Sequence, residues 1–326
     1  MKHFTTTAMT TLFAGVFATT LSAEQMWDLP LAWPAENYIS VEAAHFGEEV
    51  AKVTNGEVKI TTHPGGSLGF KGPEMFAAAR DGLVPITDML LQQQVGDEPL
   101  LGLQSLPFLM TSYEEQVAFQ EFYRPLLEEL FAENNQKLLY TIPWPQQQVW
   151  TKKEINSFED FAGIKVRSSD PSATEIFAAA GMTPVQLPWG EVIPSLATGA
   201  IEGVGTSSPS AVDGSFWEFL THGYPTRHTW NLNATSVNLD AWNALTPESQ
   251  AAIEALAKEM EPGFWQAAQD ADAAKMQQLA ENGMTLGDLS DEIRAELRSR
   301  AEPIRTAALD KMGERAKAVV EAFASR

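Results

Sequence analysis

The sequence predicts an α/β fold of two lobes, built on mixed, mostly parallel sheets flanked by helices and followed by a long helical C-terminal region. Three observations predict it. From Phe161 to Thr206 the chain alternates strand, helix, strand, helix, strand, the order of a parallel sheet with helical crossovers. The stretch Pro247–Arg326 carries no strand-like segment and is rich in alanine. A chain of 326 residues without internal repeats is larger than one hydrophobic core usually serves.

The elements follow in order. Trp27–Trp33 is a short apolar segment ending at Trp33-Pro34, the first core strand. Glu36–Val53 places Val41, Ala44, Val50 and Val53 at mostly helical spacing before the Asn55-Gly56 turn. Glu57–Thr62 alternates as a strand does, His63-Pro-Gly-Gly-Ser67 is a loop, Pro73–Arg80 a helix and Val84–Leu91 the next strand. Tyr113–Glu133 is an acidic helix, Lys137–Ile142 a buried strand, and Gln146–Lys152 a second extended segment. Ile164 and Val166 mark a strand that ends at Arg167; Thr174–Ala180 reads as a helix, Val185–Leu187 as a strand and Glu191–Thr198 as a helix. His228–Asn238 is extended, and the tail divides into helices over Pro247–Ala280, Ser290–Arg300 and Glu302–Ala324. The expected division is a leader over residues 1–23, a first lobe mainly over 24–150, a second mainly over 151–240, and a helical region over 241–326 that packs across both.

Composition narrows the function. Lys2 and His3 precede a mostly small or apolar run, Ala8–Leu21, and Leu21-Ser-Ala23 offers a cleavage point, the pattern of an export signal cut near Ala23. The run is too short to anchor a chain in a bilayer, so no direct membrane insertion is expected. There are no cysteines, which excludes disulfides, thiolate metal sites and cysteine nucleophiles. A net charge of −21 argues against nucleic acid, whose recognition needs Lys and Arg to displace counterions.

Three ordered blocks carry a family resemblance. They are Gly163-Ile-Lys-Val-Arg167, Pro184-Val-Gln-Leu-Pro-Trp-Gly-Glu-Val192 and Leu196-Ala-Thr-Gly-Ala-Ile-Glu-Gly203. Together with Leu106-Pro-Phe-Leu109, they resemble the extracytoplasmic solute-binding proteins of TRAP transporters from about Leu29 to the C-terminal helices. The resemblance implies a periplasmic-binding-protein-like fold whose cleft captures a small organic acid. It also implies delivery to the small and large TRAP membrane subunits, a periplasmic location, and neither catalysis nor a cofactor.

Arg167 stands at the carboxyl end of its strand, where open α/β sheets bind ligands, and its planar fork suits a carboxylate. The resemblance assigns it the ligand carboxylate, and assigns Trp189 a contact with the ligand body. Where many family members carry Gln-Glu-Asn-Pro, this chain reads Val204-Gly-Thr-Ser-Ser-Pro209, so Ser208 occupies the asparagine position and Ser207 or Thr206 is an alternative. Gln147 stands about where sialic-acid-binding members carry a second arginine, which argues against that ligand. Trp33, Trp144, Gln92, Trp230 and Asn233 are further cleft candidates by their places at strand ends. Asp213 or Glu36 is a candidate partner for a ligand amine. Several tryptophans near one cleft favour a ligand with an apolar, aromatic or cationic portion.

Enzyme signatures are missing: the chain has no G-x-S-x-G, H-E-x-x-H, Walker or S-x-x-K motif. His222 and His228 are read as solvated or structural rather than metal-binding, and Asn233-Ala-Thr235 as a chance sequon. The alternatives are a ligand-sensing subunit for a membrane receptor and, further off, a secreted hydrolase or lyase on a similar scaffold.

Overall fold

A computed structural model describes residues 24–326; the expected leader, residues 1–23, lies outside the described residues. Strand β1 (Gln25–Pro30) pairs in parallel with β2 (Val58–His63). Helix α1 (Tyr38–Val53) crosses between them, and the Asn37 side chain caps it by accepting from the Ile39 N–H. Helix α2 (Met75–Arg80) leads into the fully buried β3 (Ile86–Leu90), then two short 3₁₀ turns, Leu91–Gln93 and Pro99–Ser105. Helix α3 (Tyr113–Glu133), capped by Ser112, and strand β4 (Gln136–Pro143) follow.

The chain then builds a six-stranded sheet from β5 (Gln148–Thr151), β6 (Lys165–Ser168), β7 (Thr183–Gln186), β8 (Gly203–Thr206), β9 (His222–Tyr224) and β11 (Thr285–Leu286), in the order β11-β9-β5-β8-β6-β7. Helix α4 (Pro171–Ala179) starts with Asp170 accepting from the Ala173 N–H and Pro171 in the first turn, where a missing N–H costs nothing. Two short helices, α5 (Val192–Ala197) and α6 (Ser208–Asp213), flank β8. Strand β10 (Leu232–Asn238) lies between the sequentially remote β3 and β4 as the centre of a three-stranded sheet. The pairs β1/β2, β6/β7, β6/β8 and β9/β11 are parallel, whereas β5 and β10 run antiparallel to both their neighbours. Those two strands lie where the chain passes between sheets, so they enter against the local direction.

After the short helix α7 (Leu239–Asn243), α8 (Pro247–Glu281) packs on strand β4 of the three-stranded sheet and on helices α1 and α6. Helix α9 (Asp291–Met312) packs on α4 and the 99–105 turn, and α10 (Glu314–Ala324) on α3. The tail differs from expectation twice. Its last break falls at Gly313 and not after Arg300, because Gly313 adopts φ 82°, open to a residue without Cβ, while Pro303 stays inside α9. The pair Thr285–Leu286, too short to show alternation, is recruited to the edge of β9. The first strand also stops at Pro30, short of Trp33.

One apolar cluster runs continuously from β1, α1 and β4 through Trp33, Trp144 and Trp189 to Val204 and Phe216 of the six-stranded side. Behind that sheet His228 is buried against the Phe177 ring, at 5.0 Å between centroids, with its Nδ1 2.6 Å from the Thr226 hydroxyl. Burial pushes its pKa down to about 3. A histidine depressed in the fold and ordinary (about 6.5) when unfolded supports stability above that higher value and loses it as pH falls towards 3. At pH 4.5 this one group is expected to cost about 2–3 kcal/mol relative to pH 7.5. Urea unfolding at both pH values checks it: His228→Gln should reduce the acid loss by that amount, and equal losses in both proteins would contradict it.

Candidate functional site

Arg167 lies on β6 beside β8, with its side chain 2 % exposed. Gly205 of β8 makes room at this spot, since a Cβ there would meet the Phe177 ring at 2.4 Å. The guanidinium is held from behind by carbonyls: Nε donates to Leu187 O at 3.0 Å and Nη1 to Gly205 O at 3.2 Å. Among the described residues no carboxylate comes within ion-pair distance of it. Burial pushes its pKa down to about 10, partly offset by the field of Asp170. Asp170 itself is buried and engaged in capping α4 and in accepting from the Ser169 hydroxyl at 2.6 Å. The result is a buried cation two of whose five N–H groups are satisfied by neutral oxygens, a costly arrangement unless an anion completes it.

The opposite wall is aromatic. Trp33, just past β1, meets Trp144 edge-on at 4.7 Å between centroids and Trp189 at 6.5 Å. Tyr38 of α1 packs edge-on against Trp144 at 5.5 Å. The Trp144 indole donates to Asn233 Oδ1 at 2.7 Å, and its backbone N–H donates to Asn231 O at 2.9 Å. Gln147 also faces the cavity; its amide donates to Pro145 O at 3.1 Å.

The remaining lining comes from Leu90, Ser169, Thr206, Ser207, Ser210 and Asn231. Two of these carry uncommitted polar atoms: the Ser207 hydroxyl and Asn231 Oδ1 are buried without a hydrogen-bond partner. Side chains crowd the centre, leaving about 10 Å³ of free space, room for about one water.

Of the residues expected from sequence, Trp33, Trp144, Gln147 and Arg167 meet around this cavity, and Trp189 packs at a tilt against Trp33, off the cavity. Ser208 does not join them. Ser207 occupies the N-cap of α6, so the next side chain turns to the far face and hydrogen-bonds Asp272 of α8. Gln92 lines a different, larger cavity with Asp170 and α9, and Trp230 another with Arg227 and Asp272. Asn233 lies behind Trp144 rather than on the cavity. Asp213 accepts from Asn37 at 2.6 Å, and burial raises its pKa to about 6; Glu36 is exposed. Sequence reasoning missed Asn231, Ser169 and Ser210. Asn231 stands two residues before Asn233, on the same period-2 face, and that pairing was the available signal.

Polar contacts close the two sides over this centre. Gln93 donates to Ser169 O at 3.1 Å, Ser172 to Ser105 O at 3.1 Å, and Lys71 lies 3.7 Å from Glu191. Among the described residues no group of three or more His, Cys, Asp or Glu could hold a metal ion, and no helix is long and apolar enough to cross a membrane.

Comparison with known proteins places this geometry. Residues 31–311 match the family described as bacterial extracellular solute-binding protein, family 7. A solved marine-metagenome TRAP solute-binding protein, described as specific for pyroglutamate, is similar at 32 % identity and TM-score 0.89, covering 93 % of this chain and 100 % of that one. The DctP6 receptor of Bordetella pertussis, described as binding pyroglutamic acid, is similar at 29 % identity, TM-score 0.89 and the same coverage. The ectoine/5-hydroxyectoine-binding periplasmic protein UehA of Ruegeria pomeroyi is 25 % identical over 293 residues, 86 % of this chain and 84 % of that protein. The chain belongs to this family of TRAP solute receptors; it is a binding protein and not an enzyme.

A buried cation without an anion partner is a poor stabiliser. Arg167→Met is therefore expected to leave the melting temperature of the ligand-free protein unchanged or raised, measured by calorimetry. A fall equivalent to more than about 3 kcal/mol, the scale of breaking a buried ion pair, would show that the arginine is a structural tie.

Proposed function

We propose that this receptor captures a small cyclic carboxylate carrying a ring N–H, of the pyroglutamate type, between its two lobes. The observation that carries the reading is Arg167, buried without an anion partner. A carboxylate supplies the missing charge and accepts from the free side of the fork. Asn231 Oδ1, an acceptor without a donor, suits a ring N–H, and the Ser207 hydroxyl suits a ring or carboxylate oxygen. Trp33 and Trp144 enclose the apolar ring edges, with Trp189 backing Trp33. The two structural relatives described as pyroglutamate receptors support this class, and ectoine shares the ring, the carboxylate and the ring N–H.

The centre is too crowded to admit such a molecule as it stands, so the walls part for entry. The Gln93–Ser169, Ser172–Ser105 and Lys71–Glu191 contacts break when the lobes hinge open and re-form around the ligand. Residues mainly of 24–150 and 151–240 form these lobes, with the 241–326 helices packed across them. The ligand-closed form is the one recognised by the small and large TRAP membrane subunits in the periplasm, after removal of residues 1–23. Binding free energy stabilises the closed state and no bond is made or broken.

The test is calorimetric titration of the protein with pyroglutamate, ectoine and pyruvate, beside Arg167→Ala. A ring acid at 100 times its Kd should add about 2.7 kcal/mol of stability. Loss of the buried fork should weaken it by about a hundredfold or more, as expected for a truncated buried charge pair. Saturable binding that ignores Arg167→Ala would sink the carboxylate reading. Preference for pyruvate would sink the ring N–H.

A further inference from the structure

Behind the aromatic wall lies a carboxyl group that nothing in the binding site touches. Asp88 is in the middle of β3, 2 % exposed, and directly opposite Thr235 in the antiparallel register with β10. Asn233, diagonal to it on the same strand, donates its amide NH₂ to Asp88 Oδ1 at 2.6 Å, and the Thr235 hydroxyl donates to Oδ2 at 3.2 Å. With its NH₂ so committed, Asn233 presents its carbonyl oxygen on the other side, where the Trp144 indole N–H meets it at 2.7 Å. The chain Asp88–Asn233–Trp144 therefore ends on a ring of the Arg167 cavity.

Direction is the point. An asparagine amide has a donor end and an acceptor end of nearly equal shape, and an indole N–H tolerates only the acceptor. A carboxylate can only accept, so it forces the amide the right way round. A neutral donor-acceptor in its place permits both orientations, one of which sets NH₂ against N–H.

We propose that Asp88 is a positioning residue of the ligand site: it orients the Asn233 amide and thereby fixes the Trp144 ring as the wall facing Arg167. The effect on ligand affinity rests on the cavity being the ligand site; the effect on the indole does not. The groups near Asp88 that titrate are Tyr38 from α1 and Tyr140 from β4, and burial keeps both hydroxyls protonated well above neutral pH. Burial also raises the Asp88 carboxyl to about 7, so in the folded state its ionised form is held at a cost.

The experiment is nitrogen-15 NMR of the tryptophan indoles in the full protein, with the Trp144 signal identified by its loss in Trp144→Phe, combined with pyroglutamate titration at pH 8. Asp88→Leu is expected to move the Trp144 indole resonance and hasten its solvent exchange. It should weaken pyroglutamate roughly tenfold, the scale on which partners behind a first contact tune binding. Asp88→Asn, which folds with the least change of shape, should show intermediate loss of affinity together with an equal or higher melting temperature at pH 8. Thr235→Val, which removes the other hydrogen bond on Asp88 without touching Asn233, should leave indole and affinity as in the parent. The proposal is overturned if the indole signal stays in place in both Asp88 variants, or if Thr235→Val reproduces their losses. Should the parent bind neither pyroglutamate nor ectoine, the ligand reading fails separately, and the indole signal alone decides the orienting role.

Discussion

The dominant constraint in this molecule is one buried guanidinium. Arg167 is removed from water, backed by two carbonyls, and left without a counter-charge. A protein interior holds such an unpaired charge only at a cost in stability. Much of the neighbouring architecture is shaped to keep it there. Gly205 gives its carbonyl and leaves space for the Phe177 ring, the turn after β7 supplies the Leu187 carbonyl, and the Asp170 cap keeps that nearby acid tied to α4 instead of to the arginine.

The walls divide the labour. The six-stranded side carries the charge and the small hydroxyls, while the β1 and β4 side carries the Trp33 and Trp144 rings that line the cavity. A ligand that satisfies only one wall leaves the other imperfectly matched: an apolar ring alone does not neutralise Arg167, and a bare anion does not fill the indole surfaces. The proposed ring acid meets both walls, with a charged end and a flat body. The division also explains why the larger cavities beside Gln92 and Trp230 are weaker candidates despite their room, since neither contains a buried charge awaiting a partner.

Much of this was legible in the chain. The three blocks ending at Arg167, Val192 and Gly203 located the sheet edge, and strand-end placement brought Trp33, Trp144 and Gln147 to the same centre. What failed was side-chain direction over short distances. Ser208 and Ser207 are neighbours, and which one faces the cavity depends on where α6 begins, a matter of one residue set by the cap. Asn233 and Asn231 share a face, but the first is consumed by Asp88 and Trp144, a pairing across 145 residues that no local pattern announces. Gln92 follows a strand as ligand residues often do, yet the 3₁₀ turn beginning at Leu91 swings it to the other side. The C-terminal break lies at Gly313 and not after Arg300, because periodicity in an alanine-rich stretch marks no boundary there, while Gly313 takes a left-handed conformation and Pro303 stays inside α9.

The position of β10 bears on how the polypeptide reaches its native state. It is inserted between β3 and β4, so the first sheet lacks its central strand until the chain has emerged as far as Asn238. An N-terminal fragment ending before Leu232 holds two strands with unpaired edges facing an empty slot, and those edges invite association with other chains. The three-stranded sheet is therefore complete only once residues from both halves of the chain are present. High contact order of this kind makes folding slow. Topologies of this kind lengthen the time a chain stays open before its sheet can close.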